Sequence, residues 1–184
     1  MKKLSILIPA YNEKKTILEI LKRVDSVVLP VEKEIIIVDD CSTDGTRDIL
    51  RGLDVNRYTV VLQEKNAGKG AAIKAGLRAA TGDMVIFQDA DLEYNPADYR
   101  AMIRPILDGR TEVVLGVRMQ TDRDTMKYQS LYYFISWLGG ECITWTTNIL
   151  FWNNAREYEG CYKAFTKRLL DTIEIKANGF DIDN

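Results

Sequence analysis

Short apolar runs without polar alternation recur through the first two thirds of the chain, separated by segments of helical spacing. This pattern restricts the fold more than any other feature. Leu4 to Ile8, Glu34 to Val38, Thr59 to Leu62, the run from Met84 to Asp91, and Glu112 to Val117 read as strands. Between them, Ile17, Leu18, Ile20, Leu21 and Val24 recur at helical spacing, with Lys14, Lys15, Lys22 and Arg23 for the wet face. Ser42-Thr43-Asp44-Gly45-Thr46 offers cap chemistry for a short helix through Leu50. Asn66 to Gly70 opens an alanine-rich helix, and Asn95-Pro96 starts another. Strands apolar on both faces need cover on both, which predicts a three-layer α/β/α protein around a mostly parallel sheet. Right-handed crossovers then bring the ends of the first, second and fourth strands to one edge. Pro9 to Glu13, Asp39-Asp40 and the Asp89/Asp91 pair are predicted to converge there in an acidic cleft.

A chain of 184 residues, 46% of them hydrophobic, is enough for one core of ordinary size, and residues 1–184 read as a single domain. The formal charge of −2 gives no electrostatic footprint for nucleic acid. Cys41, Cys142 and Cys161 are widely spaced and contain no C-x-x-C, so neither a disulfide framework nor a zinc site is suggested, and a reduced cytoplasmic setting fits. The apolar run after the basic tip stops at Pro9 without a cleavage site, so it reads as a first strand and not a signal peptide. The absence of histidine is more informative. It removes Ser-His-Asp and Cys-His machinery together, leaving carboxylates, lysine, tyrosine or thiols for any proton transfer.

Residues i and i+2 of an extended segment project to one side, so Asp89 and Asp91 can share one cation. Mg2+ or Mn2+ with a diphosphate is the partner such a pair suggests. The spacing alone is common: Asp122-Arg-Asp124 and Asp181-Ile-Asp183 repeat it, but only the first copy lies where a buried strand surfaces. No G-x-G-x-x-G follows the first strand, and Lys69 lacks the P-loop context, which excludes both common nucleotide fingerprints. Gly68-Lys69-Gly70 can still offer backbone N–H groups and an ammonium to a phosphate, or form a turn with a solvated lysine.

Ser5 to Glu13 (SILIPAYNE), Ile37 to Thr46 (IVDDCSTDGT), Asn66 to Ala71 (NAGKGA) and Gln88 to Leu92 (QDADL), in this order and spacing, resemble the family 2 inverting glycosyltransferases of the GT-A fold. Within the family, the dolichol-phosphate and polyprenyl-phosphate sugar transferases look most similar. The resemblance implies a Rossmann-like α/β/α sandwich and a nucleotide-sugar donor. It implies that Pro9, Tyr11, Glu13, Asp39 and Asp40 face the nucleoside, with Lys69 and Asp89 also on the donor. Asp89 and Asp91 would handle the metal and diphosphate, with Asp91 catalytic and Glu93 either adding a metal oxygen or facing water. Arg118, after the fifth strand, would hold an acceptor phosphate through its planar fork. The stretch from Glu157 to Phe165 resembles a second family motif that usually begins with aspartate.

A lipid phosphate is already ionised near neutral pH and needs no general base, which suits a chain without histidine. A hydroxyl acceptor, as in other cell-envelope glycan synthesis, would require a carboxylate base such as Asp91 or Glu157. Residues 126–152 contain all three tryptophans, and after Tyr128 Glu141 is their only formal charge. Gly139-Gly140 and the polar run Thr144 to Asn148 disfavour a spanning helix, so a pair of amphipathic helices at the inner membrane face is expected, with a buried hairpin or a homo-oligomer contact as alternatives. Relatives continue beyond the Gly-Phe-Asp stretch near residue 180, so a shortened chain or one lacking C-terminal helices is expected. Sugar nucleotidyltransfer is disfavoured by Pro9-Ala10-Tyr11, where such enzymes carry a glycine-rich loop. A non-catalytic nucleotide-sugar binding module is the remaining alternative.

Overall fold

The structure, a computed structural model, describes residues 2–116, 131–152, 162–176 and 178–179. Six strands form one sheet: β1 (Lys3–Ala10), β2 (Glu32–Asp39), β3 (Tyr58–Leu62), β4 (Met84–Phe87), β5 (Val113–Leu115) and β6 (Lys163–Thr166), in the order β3-β2-β1-β4-β6-β5. The first four are mutually parallel. β1 pairs with β2 from Lys3↔Glu32 to Ala10↔Asp39, and with β4 from Leu4↔Met84 to Leu7↔Phe87. The helices are α1 (Ile17–Ser26), α2 (Thr46–Arg51), α3 (Lys69–Ala79), α4 (Tyr99–Leu107), α5 (Leu131–Leu150) and α6 (Lys167–Leu170).

Successive residues of the buried strands face opposite layers, which is why the runs show no polar alternation. Leu4, Ile6, Ile8, Ile35, Ile37 and Ile86 pack with Ile17, Ile20 and Val24 of α1 and with Tyr99, Ile103 and Ile106 of α4. Leu7, Ile36, Val38, Val85 and Phe87 meet Ala72 and Ile73 of α3 on the other face. The approach of α3 is close. A Cβ at Gly76 would lie 2.6 Å from Leu7 Cγ, so glycine sets this helix-to-sheet spacing.

Two elements depart from the sequence expectation. Thr166 to Ile173 reads as one capped helix, whereas β6 runs to Thr166 and α6 covers only Lys167–Leu170, with Thr166 Oγ1 accepting from Leu169 N at 3.2 Å. β6 inserts antiparallel between β4 and β5, pairing Met84↔Thr166 and Val113↔Phe165. The second departure is α5, a single helix of 20 residues running through Gly139-Gly140 and not a pair. A glycine costs a helix about 1 kcal/mol, too little to break one of this length at that point.

Candidate active site

Because β1, β2 and β4 are adjacent and parallel, their C-terminal ends lie together, and the loops that follow them share one edge of the sheet. Asp40 N continues the β1–β2 ladder to Ala10 O at 2.9 Å. Beyond it the two loops are laced by side chains: Asn12 N donates to Ser42 Oγ at 2.9 Å, Thr43 N to Asn12 Oδ1 at 2.8 Å and Lys14 N to Asp44 Oδ2 at 3.0 Å. Asn12 adopts φ 59°, a left-handed conformation that asparagine tolerates. The lacing leaves Pro9 half-buried and the Tyr11 ring exposed at the rim. Glu13 Oε2 accepts from Thr16 Oγ1 at 2.5 Å.

Asp39 and Asp40 are buried under this rim. Both Asp39 oxygens accept from Ser42 N at 3.3 Å, and Oδ2 accepts from Arg47 Nε at 2.6 Å; the side chain is 0% exposed. Arg47 also donates to Gln63 O. The carboxylate of Asp39, which the sequence reading puts on the nucleoside side, is enclosed by the chain's own donors. Asp40 Oδ1 and Oδ2 accept from Ala67 N at 2.9 Å and Gly68 N at 2.8 Å, tying the end of β2 to the glycine loop.

The N-terminus of α3 is closed as well. Gly70 N donates to Gly179 O at 3.2 Å and Ala71 N to Asn178 O at 3.1 Å, while Lys74 Nζ holds the Asn178 side chain. Gly68 admits this crossing segment. Its φ is +91°, and a Cβ there would lie 2.5 Å from Asn178 O. Of the two readings of Gly68-Lys69-Gly70, a phosphate cradle or a turn, the cradle would have to compete with these bonds: the N–H groups of Ala67, Gly68, Gly70 and Ala71 all have partners within the chain. The Lys69 side chain turns toward the metal candidates, with Nζ 2.8 Å from Asp89 Oδ1 and both side chains largely covered at 13% and 15% exposure.

Gln88 fixes the loop that carries Asp89. It is fully buried, and its Oε1 accepts from the hydroxyls of Tyr99 and Tyr162, each at 2.7 Å. Its Nε2 donates to Asp89 O at 2.9 Å. Burial pushes both phenols well above their ordinary range, with Asp98 and Asp89 adding to the effect at Tyr162, so both stay protonated and able to donate. The Tyr94 and Tyr162 rings pack with centroids 4.7 Å apart. Sequence reasoning did not single out Gln88, Tyr99 or Tyr162. A polar residue between buried Phe87 and Asp89 was the available signal.

β4 ends at Phe87, so Asp89 lies in the loop after it and Asp91 in the turn that follows, outside the strand that the i, i+2 spacing presumes. Asp91 is exposed, its Oδ1 accepts from Glu93 N at 2.9 Å, and Leu92 takes a left-handed φ of 71°. Among the described residues no group of three His, Cys, Asp or Glu side chains converges on one point, so Glu93 does not complete a three-carboxylate set. The turn held by Asp91 sends Glu93 to the surface. Two carboxylates still fit a hard divalent cation, because Mg2+ characteristically takes one or two protein carboxylates and completes its shell with phosphate and water. The ammonium on Asp89 already marks that position as one where positive charge is stabilised. Arg118, Glu157 and Cys161 lie outside the described residues.

None of the side chains described on α5 is buried; Trp145 is 69% exposed, and Trp152 just beyond the helix 97%. Among the described residues no helix is long and apolar enough to cross a membrane.

The acidic loop thus lies at the carboxyl edge of a mostly parallel sheet, beside the rim Pro9-Ala10-Tyr11-Asn12-Glu13, in an α/β architecture of the GT-A fold class. Residues 5–173 match glycosyl transferase family 2, and the chain belongs to that family. It is 32% identical to a dolichol-phosphate mannosyltransferase of Pyrococcus furiosus over 118 residues, 63% of this chain and 33% of that protein. It is 34% identical to an undecaprenyl-phosphate 4-deoxy-4-formamido-L-arabinose transferase of Aeromonas hydrophila over 130 residues, 68% of this chain and 39% of that protein. The aligned parts thus amount to between a third and two fifths of these relatives. The glucosyl-3-phosphoglycerate synthase of Mycobacterium tuberculosis shares the fold. Its complex with Mn2+, UDP and phosphoglyceric acid superposes with a TM-score of 0.71 at 24% identity, covering 99% of this chain and 61% of that one. Its complex with phosphoglyceric acid gives 0.72 at 23%, covering 99% and 62%.

Proposed function

We propose that the chain transfers a sugar, with inversion, from a UDP- or GDP-sugar to a polyprenyl phosphate at the cytoplasmic face of a membrane. One observation carries the reading: Asp89 and Asp91 stand in the loop and turn just past β4, at the carboxyl edge of the sheet, with the Lys69 ammonium already on Asp89. The curated relatives named above are polyprenyl-phosphate sugar transferases, and a neighbour of the same fold holds UDP with Mn2+.

In this reading Pro9, Tyr11 and Glu13 line the nucleoside side of the cleft. Asp40 acts by holding the glycine loop in place and Asp39 by holding Arg47. Asp89 and Asp91 would hold a divalent cation, which when bound supplies positive charge to the departing diphosphate without a protonated acid. Lys69 adds a second positive charge on the same side. Gln88 keeps the Asp89 backbone fixed, so the carboxylates need no reorganisation as charge develops. Arg118 is assigned to the acceptor phosphate from its position after the fifth strand in the sequence. The exposed aromatic side chains at Trp145 and Trp152 suit a lipid interface, where such rings are favoured.

Calorimetric titration of UDP and of GDP, each with Mn2+ and with EDTA, tests the donor half directly. Manganese-dependent binding of one nucleotide is expected. Binding of neither, by a folded protein, would refute the donor assignment.

A further inference from the structure

We infer that Lys69 is an exchangeable counter-ion of the metal position, which makes cation and diphosphate bind to this chain as a coupled pair. The inference rests on the donor-site reading above and adds how that site is regulated. Lys69 Nζ is 2.8 Å from Asp89 Oδ1, in a largely covered pair. A divalent cation on Asp89 would stand within a few ångströms of this ammonium, and like charges at that range repel strongly even at a high effective dielectric. The two compete for one carboxylate.

Where Lys69 can go is limited by its surroundings. Its backbone is held by a helix whose first turn is pinned from two sides: Asp40 takes Ala67 N and Gly68 N, and the Asn178 and Gly179 carbonyls take Ala71 N and Gly70 N. The helix start therefore stays in place while the four-carbon side chain swings. The same N–H groups are unavailable to an anion, so a diphosphate reaching this edge finds the Lys69 ammonium and not a backbone cradle. Diphosphate draws the ammonium off Asp89, and the released carboxylate then accepts the cation. Coupling of this kind is reciprocal, so each ligand raises the affinity of the other by the same factor. Without nucleotide, the ammonium keeps Asp89 neutralised and metal binding weak.

The test is Mn2+ binding to the full chain, followed by calorimetry or by the electron paramagnetic resonance signal of free Mn2+, with and without saturating UDP or GDP. Wild type is compared with Lys69→Met, which keeps the stem and removes the charge, and with Lys69→Arg, which keeps a charge. Thermal unfolding of each variant checks the fold. Lys69→Met should bind Mn2+ alone roughly tenfold more tightly than wild type, because a competing unit charge is gone. In that variant nucleotide should raise Mn2+ affinity less than it does in wild type, whereas Lys69→Arg should behave like wild type. If Lys69→Met binds Mn2+ alone no more tightly than wild type, or nucleotide raises its Mn2+ affinity as much, the exchange is overturned and the donor site stands. If wild type binds neither nucleotide under any metal condition, the donor reading falls and the exchange with it.

Discussion

Two acidic pairs stand at the same edge of the sheet, one at the end of β2 and one just past β4, and they are held in opposite ways. Asp39 and Asp40 receive their hydrogen bonds from the chain itself: Ser42 N and the Arg47 guanidinium for the first, Ala67 N and Gly68 N for the second. Asp89 faces a lysine on a flexible stem, and exposed Asp91 accepts a bond from its neighbour Glu93 N. The chemistry of the four side chains is the same. What separates them is whether the partner can leave. Backbone N–H groups cannot, and the Arg47 guanidinium is anchored a second time on Gln63 O, so the β2 pair is scaffold, while the ammonium at the end of a flexible stem can be exchanged for another cation.

Removing a scaffold carboxylate should cost the most. Asp39→Ala would remove the acceptor of Arg47 Nε at 2.6 Å and of Ser42 N, and losing the hydrogen bonds of a fully covered carboxylate destabilises by about 1–3 kcal/mol. Urea unfolding should show this loss. A change below about 1 kcal/mol would mean that the Asp39–Arg47 contact is not what holds the loop after β2.

A carboxylate at the opposite end of the sheet sharpens the comparison. Glu34 accepts from Ser5 Oγ, Thr81 N and Oγ1, and Gly82 N, and pairs with Lys3 Nζ at 2.5 Å. Burial opposes ionisation here. The bonds from Lys3, Ser5 and Thr81 outweigh it and bring the group down to about 2. A depressed folded-state value means that the stabilisation is fully present above the unfolded value near 4.5 and is lost as pH falls from there toward about 2. Its size, reduced by solvent screening at a partly exposed site, is on the order of 1 kcal/mol. Stability of the wild type, followed by urea midpoints between pH 7 and pH 3, should fall more steeply than that of Glu34→Gln. Parallel curves for the two proteins would remove Glu34 from the scaffold class.

Much of this arrangement is legible in the sequence, and the limits have physical causes. The parallel strands are readable because each is buried on both faces and so carries an unbroken apolar run. The convergence of Pro9 to Glu13, Asp39-Asp40 and Asp89/Asp91 follows from crossover handedness alone. Other features depend on partners distant along the chain. Gln88 gets its role from Tyr99 and Tyr162, 11 and 74 residues away, and neither spacing has a local signature. β6 is four residues, Lys163–Thr166, two of them polar, and it becomes a strand because β4 and β5 offer edges on both sides. The closing of α3 by Asn178 and Gly179 uses carbonyl oxygens, which every residue has. The fate of Asp39 and Asp40 was hidden for a related reason: the motif gives the carboxylates but not which N–H groups fold over them.

The smallest stability effect should come from the residue with the largest expected effect on binding. Asp91 is exposed, and it accepts from Glu93 N through one oxygen, a bond that an asparagine Oδ1 also accepts. Asp91→Asn should therefore unfold within about 0.5 kcal/mol of wild type. The substitution removes a full negative charge from a two-carboxylate set, and a hard cation depends on such charge. Manganese-dependent nucleotide binding should be lost while any metal-independent binding at the Tyr11 rim persists. A variant that kept its manganese dependence would place the cation on Asp89 alone. One that lost stability as Asp39→Ala does would put Asp91 in the scaffold and erase the contrast between the two pairs.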